Sequence, residues 1–285
     1  MAKRLLMVSG VAVIALALVW LYLIFPGMAK LPADYSVTYH FEGTVQVLAN
    51  PATGAMATIP TKMDRVLKGT EITSDDALLL KQDITFFLAA NGAPLSSAPG
   101  GASLAALDSH ETYAIDRTTR VNLAGGDKTR SGQFTFPLDV KQETYQYWVA
   151  TTNSTLPATF VGEETVDGLK VYVFKIDSKG NTSPTNATQK IDVAATIKVE
   201  PVSGTPIDSK LTTTVNQLLP TGGSIPALIN ESHFTQATID EMVTEGKANK
   251  NKILYASVYG FWGAFGLGAV LFLVGMFMKS KSAAA

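Results

Sequence analysis

Two uninterrupted apolar runs bracket the chain. Residues 5–25 hold no charged side chain in 21 positions, and residues 253–278 hold none in 26. About 20 apolar residues at 1.5 Å rise cross a ~30 Å hydrocarbon core, so each run predicts a membrane-spanning helix. Between them the period changes. Over residues 36–47, Val37, Tyr39, Phe41, Val45 and Val47 alternate with Ser36, Thr38, His40, Glu42, Thr44 and Gln46. That pattern predicts a strand with one buried and one wet face. It follows Pro26 and Pro32, which are expected to break the first helix.

Further strands are predicted at 84–90, 112–116 and 133–136. The clearest hairpin joins 160–166 to 169–176 through Asp167-Gly168, a pair suited to a two-residue turn with positive φ. A second joins 197–199 to 207–214 through Pro201-Val202-Ser203-Gly204, and Pro51-Ala52-Thr53-Gly54 repeats that turn chemistry. Residues 91–106 and 178–189 are polar or small and aperiodic, and read as loops. From 235 to 250 the period turns helical, with Ile239, Met242 and Val243 on one face. No proline separates this helix from the second apolar run, and a joint is expected at Gly246.

The organisation expected is therefore mainly β: an antiparallel, barrel- or sandwich-like extracytoplasmic domain between two terminal transmembrane α-helices. Its parts are a cytoplasmic stub (1–4), a first membrane helix (5–25), the β-rich domain (31–234), a juxtamembrane helix (235–252), a second membrane helix (253–278) and a cytoplasmic tail (279–285). The first run exceeds the 7–15 residues usual for a signal peptide and ends in Trp20, Tyr22 and Phe25, which suit a membrane interface. An uncleaved anchor is expected, with Gly27-Met28-Ala29 as the competing cleavage site. Lys3 and Arg4 before the first helix, and Lys279 and Lys281 after the second, place both termini in the cytoplasm of a plasma-membrane protein. Lys247, Lys250 and Lys252 oppose that orientation.

Composition narrows the chemistry. The middle, residues 31–252, carries 18 basic against 24 acidic side chains. That balance argues against a nucleic-acid partner, which would want a basic face. There is no cysteine, hence no disulfide framework and no thiolate chemistry. His40, His110 and His233 have no second ligand at metal-binding spacing. Asp75-Asp76 and Glu163-Glu164 are adjacent pairs, and neighbours on a strand point to opposite faces. No calcium loop, phosphate loop or nucleophile elbow is present. A non-catalytic protein without cofactor or metal is expected.

In the second membrane helix Ala256, Gly260, Ala264 and Gly268 recur every four residues. Such a stripe allows close helix packing, against the first helix, a second copy or a membrane-protein partner. Membrane lipids are the remaining expected partner. An aromatic group, Phe134, Phe136, Tyr145, Tyr147, Trp148, Phe160, Tyr172 and Phe174, reads as core or as the wall of an amphiphile cavity. Sequons begin at Asn153, Asn181, Asn186 and Asn230.

Several of these residues carry a resemblance. Asp116-Arg117-Thr118-Thr119, Phe136-Pro137, Tyr145-x-Tyr147-Trp148 and the run through Phe160, Gly162, Glu164, Val166, Gly168, Leu169, Tyr172 and Phe174 resemble an uncharacterised, actinobacterial-type family labelled porin PorA. The resemblance implies a membrane helix at each end of one outer domain. The layout is also similar to class B scavenger receptors, which hold a β-rich, lipid-conducting domain between two terminal helices. The strands predicted have a wet face, so a lipid-facing barrel is not expected. The function expected is that of an envelope or interaction protein, an accessory subunit of a membrane assembly; the alternative is a lipid or amphiphile carrier with an apolar cavity.

Overall fold

The computed structural model describes residues 2–98 and 101–278. Lys279 and Lys281, used above for orientation, lie outside the described residues. The chain forms two compact units, Leu31–Lys247 and a helical unit built from its two ends.

In the helical unit, α1 (Ala2–Val19) passes through a π-helical turn, Trp20–Ile24, into the short α2 (Phe25–Met28). Pro26 therefore does not end the helix. The N–H of Phe25 bonds the carbonyl of Trp20, five residues back, and this wider turn shifts the bonding pattern just before the residue that has no N–H. Pro26 then sits in the opening turn of α2, where a missing donor costs little. The second helical stretch is continuous over Gln236–Phe277: α3 (Gln236–Leu254), a π turn at Tyr255–Tyr259, and α4 (Gly260–Phe277). The expected joint at Gly246 is absent. Gly246 is buried mid-helix, where an added Cβ would meet Ile207 Cδ1 at 2.7 Å, so its small size serves packing. Both stretches are long and apolar enough to cross a membrane, and Leu5, Val8, Leu23, Trp262, Leu267 and Phe277 expose apolar side chains outward.

The other unit is one antiparallel, curled sheet of eleven strands with the order β5-β4-β3-β2-β1-β11-β10-β9-β8-β7-β6. In chain order they are β1 (Ser36–Asn50), β2 (Ala55–Ile72), β3 (Ala77–Leu88), β4 (Ser109–Asp116), β5 (Asn122–Leu123), β6 (Tyr145–Val149), β7 (Ser154–Val166), β8 (Leu169–Thr182), β9 (Gln189–Val199), β10 (Pro206–Leu218) and β11 (Ser224–Phe234). Neighbouring strands are consecutive in the chain except β1 and β11, the first and last strands, which pair at the middle of the sheet.

The two outer edges do not end in solvent. Gln133 bridges Val121 on one side and Tyr147 on the other. The N–H of Asn122 bonds Gly132 O at 2.8 Å, and that of Trp148 bonds Gln133 O at 2.8 Å. One short segment thus takes up backbone groups at β5 and at β6, groups that would otherwise invite pairing with another chain. The strand expected at 133–136 is reduced to this bridge. The loop expected at 91–106 contains 3-10 turns at Leu95–Ser97 and Gly101–Leu107, with Leu95 and Leu104 buried among core side chains. The loop at 178–189 is shorter than expected, because β8 reaches Thr182 and β9 starts at Gln189.

The alternation in β1 places Tyr39, Phe41 and Val45 inside and His40 and Glu42 outside. Tyr39 stacks on Phe234 with ring centres 5.2 Å apart, and Phe41 meets the same ring edge-on at 4.7 Å. The start of α3 packs here through Met242 and Val243. Thr235 caps that helix, accepting from the N–H of Thr238, and the Thr238 hydroxyl bonds His40 O at 3.0 Å. A second apolar cluster gathers Phe136, Tyr145, Leu156, Phe174, Ile191, Val193 and Ile197.

Candidate functional site

The aromatic group identified in the sequence is mostly packed against itself. Phe136 lies 4.4 Å from Phe174, 5.3 Å from Tyr145 and 5.7 Å from Tyr147 between ring centres. Phe160 meets Tyr172 and Phe174 edge-on. Phe134 sits apart, against Tyr113 and beneath the Arg65 guanidinium. Tyr147 lies within the electrostatic reach of Arg65, and burial pushes its pKa up. Trp148 is buried in the first cluster. These rings fill space as core.

The other family-motif residues build turns and fastenings. Asp116 accepts from the N–H groups of Thr118 and Thr119 and so shapes the turn after β4. Arg117 donates to Leu31 O at 2.7 Å and to Asp76 Oδ1 at 2.6 Å, fixing the chain where it enters the sheet. Phe136-Pro137 lies against the β9–β10 turn, where Val140 N–H bonds Pro201 O at 2.7 Å. Gly168 follows Asp167 in the β7–β8 hairpin, both with positive φ, as the Asp-Gly pair requires. Gly162 marks a bulge, and Glu164 pairs with Lys198 at 3.1 Å.

Histidine and carboxylate groups sit on the outer face as surface pairs: His40 with Asp64, His110 with Asp83, His233 with Glu42. Burial raises the Asp83 carboxyl, but hydrogen bonds from His110 and Lys81 outweigh it and hold the group below the ordinary carboxylate range. Lys81, Lys170 and Lys198 add further ion pairs on the sheet. An outer face of this kind is solvated. A lipid-facing barrel would carry an apolar band there.

The small-residue stripe spreads over different environments. Ala256 O accepts the Trp20 indole N–H at 2.7 Å. Gly260 meets its own helix first: an added Cβ would lie 2.8 Å from Tyr255 O, a consequence of the π turn. Gly260 and Ala264, with Val13, Leu16, Ala17, Trp20, Tyr255 and Phe261, line an apolar groove of about 360 Å³. Gly268 touches the facing backbone, where an added Cβ would lie 2.8 Å from Gly10 O. Gly10 and Gly275, outside the four-residue spacing, make equally close contacts. They stand out once the facing register is known.

A feature that sequence reading missed lies on the inner face of β10 and β11. Thr213 pairs with Asn230, and Leu211 with Ser232. Across β1, Val45 faces Asn230 and Gly43 faces Ser232. Thr213, Asn230 and Ser232 are each more than nine-tenths buried. Thr213 Oγ1, Asn230 Oδ1 and Ser232 Oγ have no hydrogen-bond partner among the described residues. A buried polar atom left so costs roughly 1–3 kcal/mol. Three together on one face are unusual for a domain whose strands could have placed apolar side chains there. Beside them, Val47, Leu211, Val215 and Leu228 are only half-buried. The Asn230 sequon falls on this buried face.

A family model described as porin PorA matches residues 3–277. The chain belongs to the porin PorA family. The match runs from α1 to the end of α4, so the terminal helices belong to the family pattern as fully as the sheet does. A comparison with curated proteins gives no match. The family and its two apolar helices mark a membrane protein of the cell envelope; in this member the sheet's charged outer face makes the helices, rather than the strands, the segments suited to lipid.

Proposed function

We propose that the chain is a non-catalytic envelope protein whose β unit stands on the extracytoplasmic side of the plasma membrane, held at both ends, with both termini in the cytoplasm. It serves as an interaction protein, an accessory subunit of a membrane assembly. The observation that carries this reading is the contrast between the two apolar helices and the ion-paired outer face of the sheet. The three histidines, the side chains best suited to acid–base chemistry near neutral pH, each sit in an exposed pair with a carboxylate on the sheet surface. Purification of the tagged chain in mild detergent, with mass spectrometry of what accompanies it, tests the assembly role. The chain has no cysteine, so single cysteines placed at Gly54 and at Lys3 report the orientation. Labelling of intact cells at Gly54 but not at Lys3 is expected; the reverse overturns it.

A second reading, a carrier of amphiphiles, is favoured by the inner face. About eight strands close around a space that their own side chains fill, and the space widens with strand number. Eleven strands are present, and apolar side chains of β1, β10 and β11 remain half-buried on the inside. Native mass spectrometry of the extracted protein is expected to show lipid-sized adducts.

A further inference from the structure

We infer that Thr213, Asn230 and Ser232 form a recognition site for an uncharged, hydroxyl-bearing amphiphile; the inference rests on the carrier reading and specifies its ligand.

The chemistry of the three atoms sets the class. A carboxamide oxygen only accepts, so Asn230 Oδ1 calls for a donor, while the Thr and Ser hydroxyls donate or accept. A ligand hydroxyl does both, and it satisfies Asn230 whichever way the amide is turned. The immediate neighbours disfavour charge, and the inner guanidinium of Arg65 on β2 is already engaged by Gln82 Oε1 at 2.8 Å. The inner positions of β1, β9, β10 and β11 near the site are Phe41, Val45, Val193, Ala195, Leu211 and Phe234, none of them charged. An ammonium or carboxylate there would be desolvated without a counter-ion. A phosphate group would be opposed more strongly still.

Geometry supplies the rest. The three side chains are on two adjacent strands in direct register, so they present one contiguous polar patch. Gly43, opposite Ser232, adds no side chain over it. The half-buried Val47, Leu211, Val215 and Leu228 flank the patch with apolar surface for an acyl chain. A polar anchor beside an apolar wall fits a molecule such as an acylglycerol, with hydroxyls at one end and a hydrocarbon at the other.

The full-length protein in detergent is irradiated with a diazirine-bearing monoacylglycerol and, separately, with the methyl ester of the same acyl chain. Labelled peptides are then mapped by mass spectrometry. The glyceride is expected to label β9–β11 at least fivefold more than the methyl ester, as one or two extra hydrogen bonds would give. In the double variant Thr213→Val with Asn230→Leu, glyceride labelling there should fall to the ester's level, while labelling of α1 and α4 stays unchanged. Equal labelling of β9–β11 by both probes in the wild type overturns the polar site and leaves the carrier reading standing. Labelling of the helices alone overturns both. A variant that labels like the wild type and melts at the same temperature removes these three residues from the assignment.

Discussion

The indole N–H of Trp20 donates to the carbonyl oxygen of Ala256 at 2.7 Å, and each residue lies in a π-helical turn of its own helix. In a π turn the backbone bonds run to the fifth residue rather than the fourth: Phe25 N–H reaches Trp20 O, and Gly260 N–H reaches Tyr255 O. The shifted pattern leaves room at a carbonyl for an outside donor. Replacing Trp20 by Phe keeps the ring and removes the donor. Interhelical bonds in membranes average about 0.6 kcal/mol, so Trp20→Phe should destabilise the helix pair by roughly that amount. Unfolding in mixed detergent micelles, followed by circular dichroism, reads this out; a loss above about 2 kcal/mol would mean that the ring fit, not the bond, matters.

Glycines in the second membrane helix should fall into distinct groups. Gly268→Val drives its side chain into Ile14 and Gly10 O and should separate the helices, costing at least about 2 kcal/mol. Gly260→Leu acts within its own helix, by colliding with Tyr255 O, and should abolish the π turn. Gly263→Ala and Gly266→Ala meet nothing within 4 Å and should be neutral. Equal effects at all four positions would argue against close backbone contact as the basis of pairing.

The readable parts of the fold were those whose pattern follows burial alone. The apolar runs, the strict alternation of β1 and the Asp167-Gly168 turn each have one dominant cause, and the structure carries the corresponding elements. The strands β2 and β11 were hidden for a common reason. Their inner faces read Ile59-Thr61-Met63-Arg65-Leu67 and Leu228-Asn230-Ser232-Phe234, so polar residues interrupt the expected apolar row. Those interruptions are side chains with buried partners or a buried site. The candidate site therefore concealed its own strand. Gly10 and Gly275 were illegible for another reason: a contact between two helices depends on their relative rotation, which neither sequence alone sets.

The β9–β10 turn should be the least tolerant loop. Gly204 has φ of 71°, which disfavours any side chain. An added Cβ would also collide with Pro137 O and lie 2.6 Å from Phe136 O. Gly204→Ala should cost about 3 kcal/mol through strain and displacement of the Phe136-Pro137 segment. Gly180, with φ of 67° but nothing within 4 Å, is the control: its Ala variant should cost only about 1 kcal/mol. Urea unfolding of the two variants gives the comparison.

Acid should act through Glu111. Burial raises its carboxyl, but bonds from Lys128 and the Tyr113 hydroxyl, with Arg130 close by, pull it below the ordinary value of about 4.5. A carboxyl whose folded pKa is depressed contributes stability above its unfolded pKa and loses it as pH falls through the folded value. This contribution should be whole above about pH 4.5 and decline below it. Glu111→Gln should destabilise the protein by about 1–2 kcal/mol at pH 7 and narrow the stability difference between pH 7 and pH 3. Tryptophan fluorescence during urea unfolding at both pH values measures it; an unaltered pH difference would remove Glu111 as a contributor.

The inner polar patch makes a prediction opposite in sign to the others. Thr213 Oγ1 and Ser232 Oγ are buried without a partner among the described residues, so the folded state carries their desolvation cost. Thr213→Val is nearly isosteric and removes one such atom. It should raise stability by about 1 kcal/mol in delipidated protein, since loss of an unpaired buried hydroxyl recovers that cost. Ser232→Ala should act in the same direction. Added monoacylglycerol should stabilise the wild type more than either variant, because ligand bound only by the folded state raises stability by mass action. Thermal unfolding with and without the glyceride tests both halves. Destabilisation of the delipidated protein by both substitutions would show that the hydroxyls already have partners, and the patch would lose its claim to be a site.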